Sequence, residues 1–191
     1  MPQRNLKEQL IDGGSRVLFE KGFHAASVND IVAAANVPKG SFYNHFESKE
    51  ALALEVTRRY AASYELDQLH EAGDQPLQRL REHFEETIER TVDRGVELGC
   101  LLGNFSTELA VHSPAIREYV AASFAAWSGA VTAALEQAQA AGELDATIDA
   151  GALGPYLVNA YEGAVARAKV TGEREPLDAF VRTSFDVLLP S

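Results

Sequence analysis

The sequence predicts an all-α chain of about nine helices, with a three-helix N-terminal head that contains a helix-turn-helix and a helical bundle behind it. Three observations predict this class. Apolar residues recur at three- and four-residue intervals through most of the sequence, the spacing of one helical face. Alternating apolar and polar runs, which a half-buried strand needs, are missing from it. Most periodic segments are also punctuated as helices are, with Ser, Asp or Pro before them and Gly after them.

In chain order, Leu6, Leu10, Gly14, Val17 and Leu18 form one face of a first helix that Gly22 is suited to stop. Ser27 caps a short second helix, with Asp30 in a capping-box position and Val28, Ile31 and Val32 pointing inward. Asn36 tolerates the left-handed backbone of a tight turn, and Pro38 can open a helix but not continue one. That leaves a very short third helix, about Lys39 to His45. Ser48 caps a fourth, expected to run through Tyr60 and Tyr64 towards Leu69. Asp74-Gln75-Pro76 starts a helix through Leu80, Phe84, Ile88 and Val92. Gly95, Gly99 and Gly103 then lie four apart around Cys100, which is followed by Leu101, Leu102, Phe105 and Leu109. Ser113-Pro114 opens a long helix that stops near Gly142, Asp149 caps one running to Thr171-Gly172, and Glu175-Pro176 begins a last one through Leu188.

The 191 residues carry 17 Lys and Arg against 28 Asp and Glu, a net charge of -11. Taken whole, that balance argues against a nucleic-acid partner. The charge is uneven, however: residues 1–60 sum to +1 and the remainder to -12. Two parts with different partners are the natural reading, and the helix-turn-helix motif divides them as 1–48 and 49–191. The single cysteine, Cys100, excludes an intrachain disulfide and suits a reducing cytoplasm. With a polar N-terminus and no apolar run long enough to span a bilayer, the expected location is cytoplasmic.

The strongest motif is SVNDIVAAANVPKGSFYNHF, Ser27 to Phe46. Two short helices joined by a tight turn form a helix-turn-helix, whose second helix enters the major groove. Lys39, Ser41, Tyr43, Asn44 and His45 offer groups for phosphates and base edges, and Gly40 lets the backbone approach the duplex. Phe42 and Phe46, four apart, form the packing side of the same helix. Lys49 joins a helix N-terminus, which itself attracts phosphate. Arg4 in the N-terminal tail is in position to reach a minor groove, against the plainer reading of a disordered terminus.

Over residues 5–60 the sequence resembles the TetR family of bacterial transcriptional regulators: FEKGF at Phe19–Phe23, then SVNDIVAAANV, KGSFYNHF and SKEAL at Ser48–Leu52. It departs from the family at Asn36, where Gly is usual, and at Pro38, often Ser or Thr. The resemblance implies a repressor whose N-terminal helices bind a roughly palindromic operator through Ser27, Lys39, Gly40, Ser41, Tyr43, Asn44, His45 and Lys49. It also implies a C-terminal domain that takes an effector and forms a homodimer through the last two helices. For that interface the matching residues are Ala160, Gly163, Ala164 and Arg167 on one helix, and Phe180, Val181, Ser184, Phe185 and Leu188 on the other; core packing within one chain is the plainer account.

GCLLGNFSTELA, Gly99 to Ala110, and EGAVARAKV, Glu162 to Val170, resemble a branch of the family that answers electrophiles, oxidants or small unsaturated acids. That similarity marks Cys100, with Lys169 near it, as an effector-sensing pair. A nearby cation favours the reactive thiolate, whereas a buried free cysteine is ordinarily inert packing. A non-covalent pocket lined by Asn104, Trp127, Tyr156 and Tyr161 is the competing expectation. A helical interaction protein that binds no DNA is the alternative from another class. No enzyme, metal site or cofactor is expected. Cys100, Asn104 and His112 lack the scaffold of a hydrolase triad, and His70-Glu71 is followed by Asp74 where a metalloprotease needs His.

Overall fold

The protein is described by a computed structural model covering residues 5–71 and 73–189; Arg4 lies outside the described residues. Among these, nine α-helices make up the regular structure: α1 (Leu6–Ala25), α2 (Val28–Ala35), α3 (Gly40–Tyr43), α4 (Lys49–Ala62), α5 (Pro76–Arg94), α6 (Leu101–Glu108), α7 (Pro114–Ala141), α8 (Ala150–Thr171) and α9 (Glu175–Val181). Tighter 3-10 turns occupy Leu66–His70 and Val96–Leu98, and a wider π-type turn occupies Arg182–Leu188. The all-α class and its helix-turn-helix head are as the periodicity predicts.

The helix starts follow local chemistry. Ser48 Oγ accepts the Ala51 N–H at 3.0 Å, and Asp149 Oδ1 accepts the Ala152 N–H at 3.1 Å, each satisfying a donor that the first helical turn leaves unpaired. Two expected spans are shortened. The fourth helix does not reach Leu69: it stops at Ala62, the Ser63 hydroxyl bonds back to the Tyr60 carbonyl at 2.7 Å, and Glu65 turns left-handed at φ 51°. The last helix keeps α geometry only to Val181 before widening.

The chain divides into two compact units. One holds the described residues up to Ser63 together with Leu101–Val120; the other holds 64–100 and 121–189. This differs from a boundary at Ser48, because α4, α6 and the start of α7 group with α1–α3.

In the first unit α1 packs on α2, α4 and α6. Leu10, Ile31, Phe42, Leu52 and Phe105 are completely buried there, each stabilising the fold by roughly 1.5–3 kcal/mol relative to exposure. Gly13 permits the α1–α2 approach, since a Cβ there would lie 2.6 Å from the Ala35 nitrogen. In the second unit α5, α8, α9 and the later turns of α7 enclose an aromatic core. Phe84 is its hub, with ring centroids 5.9 Å from Trp127, 5.8 Å from Tyr161 and 5.1 Å from Phe180.

Candidate nucleic-acid interface and effector site

The candidate recognition helix, α3, is set by the turn before it. Ser27 and Asp30 form a reciprocal capping box: Ser27 Oγ accepts the Asp30 N–H at 3.1 Å, and Asp30 Oδ2 accepts the Ser27 N–H at 2.9 Å. The Lys21 ammonium, 2.8 Å from Asp30 Oδ1, and the Ser27 bonds hold that carboxyl far below the usual carboxylate range. Asn36 closes α2 in the left-handed conformation, φ 53°, so Asn36 performs the role usually given to Gly. The chain then enters α3 with its two sides sharply divided. Phe42 and Phe46 are buried, while Lys39, Gly40, Tyr43, Asn44 and His45 are exposed and Ser41 is half-buried. Tyr43 is 61% exposed, far more than its large ring would show in a packing role. A Cβ at Gly40 would meet nothing within 4 Å, so the chain's own packing makes no demand for glycine there.

Lys49, expected to meet phosphate, is engaged within the chain. Its Nζ donates to the Phe23 and Ala26 carbonyls, 2.6 Å each, and sits 4.2 Å above the Phe23 ring. Burial lowers its pKa against the opposing pull of Glu108. The same turn is held from its other side. At Gly22 the backbone breaks helical geometry, φ 73°, and the Glu108 carboxylate at the end of α6 accepts the Phe23 N–H at 2.9 Å and the His24 N–H at 2.7 Å. Glu108 and Lys49 thus satisfy the loose donors and acceptors that a broken helix exposes.

In the second unit Cys100 is 2% exposed, and its Sγ lies 3.3 Å from the Tyr64 hydroxyl. The Glu162 carboxyl also hydrogen-bonds Cys100, while burial pushes that carboxyl up to about 7. Tyr64 stacks on Trp127 at 4.4 Å, and the Trp127 indole N–H donates to His83 Nε2 at 2.9 Å. Desolvation lowers the His83 pKa to about 4, so this imidazole is a neutral acceptor near pH 7. The Tyr161 hydroxyl lies 3.3 Å from Thr91 Oγ1, and burial drives its pKa up.

Of the expected pocket residues, Trp127 and Tyr161 meet, 5.3 Å between centroids, and both are fully buried. Tyr156 is 53% exposed and belongs to the outer face of α8 rather than to an interior lining. Asn104 is half-buried on α6, in the other unit. Lys169 is exposed in the last turn of α8; the carboxyl that bonds Cys100 comes from Glu162, seven residues earlier on that helix. Glu162, Tyr64, Thr91 and His83 were not singled out by sequence reasoning. The signal for Glu162 lay in its register, four after Val158 and three before Val165, both buried.

The outer face of α8 carries Tyr156, Gly163, Arg167 and Val170 in the open, with Ala160 and Ala164 half-buried beside them. On the expected α9 face the single chain already covers most of the residues. Phe180, Val181, Ser184 and Phe185 are buried within their own unit, where Phe180 packs 5.7 Å from Tyr161. Only Leu188 of that set is exposed. Among the described residues no group of His, Cys, Asp and Glu is placed to hold a metal, and no helix is long and apolar enough to cross a membrane.

Residues 10–56 match the family described as bacterial regulatory proteins, tetR family, and residues 76–184 match the tetracyclin repressor-like C-terminal domain. The chain belongs to the TetR family. Among TetR relatives it is 36% identical to the HTH-type transcriptional repressor DhaR of Mycobacterium sp. (strain GP1), over 100% of this chain and 96% of that protein. It is 35% identical to the transcriptional regulator AcuR of Cereibacter sphaeroides, over 95% of this chain and 85% of the relative. The crystal structure of regulatory protein TetR from Rhodobacter sphaeroides superposes with a TM-score of 0.84 at 35% identity, covering 92% of this chain and 95% of that one. As a TetR-family member the chain is a DNA-binding regulator under the control of an effector.

Proposed function

We propose that this chain is a homodimeric repressor that binds a roughly palindromic operator through the exposed side of α3 and is released when an electrophile or oxidant modifies Cys100. The observation that carries the DNA reading is the division of α3. Its aromatic anchors are buried, and its hydrogen-bonding groups stand exposed around a glycine that leaves room for a duplex. Two such helices, related by a two-fold axis, fit successive major grooves about 34 Å apart. The outer face of α8, with small residues around Gly163 and exposed Tyr156 and Val170, is the surface proposed for dimerisation.

The effector reading rests on the neighbourhood of Cys100. Its sulfur lies between a phenol and a carboxyl rather than in purely aliphatic packing. Cys100 is also the residue before α6, and α6 ends on the Glu108 clasp of the Gly22 turn. A change at the thiol therefore begins one peptide bond from the helix that holds α1. Any effector acts only through its different affinities for the DNA-bound and released conformations.

A gel-shift titration on the DNA upstream of the chain's own gene tests both parts. Lys39→Ala and Tyr43→Ala should each weaken binding, by roughly 1–3 kcal/mol where a base-specific contact is lost and more uniformly across sequences where a phosphate contact is, and unchanged affinity would remove α3 from the interface. Treating the complex with a quinone or an N-substituted maleimide should release wild type but not Cys100→Ser. Equal release of both proteins would shift the effector to a non-covalent site. A protein without saturable operator binding would be a helical interaction module instead.

A further inference from the structure

We infer that Glu162 is the proton acceptor that arms the Cys100 thiol for addition to an uncharged electron-poor alkene of the α,β-unsaturated carbonyl class, a role that rests on the reading of Cys100 as the sensing residue. Glu162 stands mid-way along α8, half-buried, with its carboxyl turned inward against Cys100. Its Oε1 is shut off from solvent and has no hydrogen-bond partner, and the hydrogen bond that the carboxyl does make is to the Cys100 thiol. A buried carboxylate kept for structure is paired with a cation or with several N–H donors. This one faces a thiol, itself 2% exposed, and leaves an oxygen unmet.

The surrounding groups do not supply a substitute base. Tyr161, on the same helix, lies against Thr91, and burial raises its pKa. Tyr64 contacts the same sulfur as a phenol. From α5 come His83, whose Nε2 is taken by the Trp127 indole, Arg90, which donates to Thr87 Oγ1 at 3.0 Å, and Arg94, which donates to the Gly99 carbonyl at 3.4 Å. The 3-10 turn beside α8 brings Glu97 and α7 carries Glu136, both exposed to solvent. On α9 and its lead-in, Arg174 is paired with Glu89 and Asp178, and Arg182 with Glu175. With burial holding Glu162 near 7, the carboxyl exchanges its proton close to neutral pH, where a general base is most effective.

The step balances without another reactant. The Glu162 carboxylate takes the thiol proton as the sulfur lone pair forms a bond to the alkene β-carbon. The alkene π electrons move to the carbonyl oxygen as an enolate, and the proton held on Glu162 passes to the α-carbon. The product is a thioether, with Glu162 ionised again.

The test measures alkylation of Cys100 in the full chain by N-ethylmaleimide, read by intact mass spectrometry across about pH 5.5 to 9, the range that spans carboxyl and thiol titration. Wild type and E162Q are compared, with urea-unfolded protein as the control for intrinsic thiol reactivity and a thermal melt to show that E162Q folds. The wild-type rate should rise with a midpoint near 7, as the carboxyl ionises. E162Q should lose that limb, react at least about tenfold more slowly at neutral pH, and recover only in the ordinary thiol range near 8.5. A substitution that merely altered packing or access would scale the whole profile without moving its midpoint, which would overturn the proposal, as would superimposable profiles. If Cys100 is alkylated and releases DNA equally in both proteins, the role of Glu162 falls while covalent sensing stands. If folded wild type is not alkylated at any pH, both fall together.

Discussion

At the scale of single residues, Gly40 separates folding from binding. Nothing lies within 4 Å of a Cβ built there, and its φ is not in the left-handed region. Alanine in a helix is favoured over glycine by up to about 1 kcal/mol, so Gly40→Ala should leave the melting temperature unchanged or raised. On the proposed operator contact the added methyl should hold α3 away from the duplex, so a gel shift should show weaker binding by the better-folded protein. Glu162 shows the reverse trade. Its carboxyl titrates at an ordinary 4.5 when unfolded and at about 7 when folded. Below 4.5 it is protonated in both states and costs nothing. As pH rises from 4.5 to 7 the folded state holds the proton more tightly, so stability is lost, and above 7 the whole penalty, about 3 kcal/mol, is in force. E162Q should therefore exceed wild type in urea stability at about pH 8 by up to that amount, and the gain should vanish below 4.5. A gain absent at pH 8 would mean that the carboxyl has found compensation in the fold.

At the scale of elements, the head is bound together by contacts that no local pattern announces. The capping box of α2 was legible because Ser27 and Asp30 are three apart and the rule linking them is local. Asn36 was legible for the same reason. Lys49 was not: the carbonyls it serves belong to Phe23 and Ala26, on the far side of the helix-turn-helix in sequence. Periodicity shows which face of a helix is apolar but not what covers it, so in sequence Phe180 and Phe185 read equally well as interface or core, whereas in the fold the Phe84 ring packs against both. Glu162 and His83 are charged or polar letters inside apolar registers, and what decides their burial is the neighbouring helices. The two lysines of the motif should accordingly behave differently. Lys39→Ala should lower the slope of log affinity against log salt by about one, the signature of a lost phosphate contact. Lys49→Met should leave that slope alone and instead destabilise the head by roughly 1–3 kcal/mol, because two carbonyls lose a charged donor. An unchanged melting curve with a reduced slope for Lys49→Met would return that lysine to the DNA.

At the scale of the whole molecule, the charge of -11 is spread as +1 over residues 1–60 and -12 elsewhere. An acidic body adds nothing to attraction for DNA, so a single head limited to the few phosphate contacts proposed for it should bind weakly, with a salt dependence no steeper than those few contacts allow. Useful affinity then requires two heads joined in one molecule, where the second contact is made at the high local concentration the first creates. The α8 face is where that joining is proposed, and Gly163 is the position to test it. It is exposed, and a Cβ there would meet nothing within 4 Å. Glutamate at this site is therefore tolerated by the isolated chain and, as a helix former, should not weaken α8. In a two-fold interface, however, the same substitution sets two carboxylates against each other across a close approach, desolvated and without cations. Gly163→Glu should keep the helical circular dichroism and the melting temperature of the fold, sediment as a monomer, and lose operator affinity by at least about a hundredfold, the lower end of the gain from linking two modules. A Gly163→Glu protein that still sediments as a dimer would move the interface off this face of α8, and a monomer that still binds operator tightly would show that one head suffices.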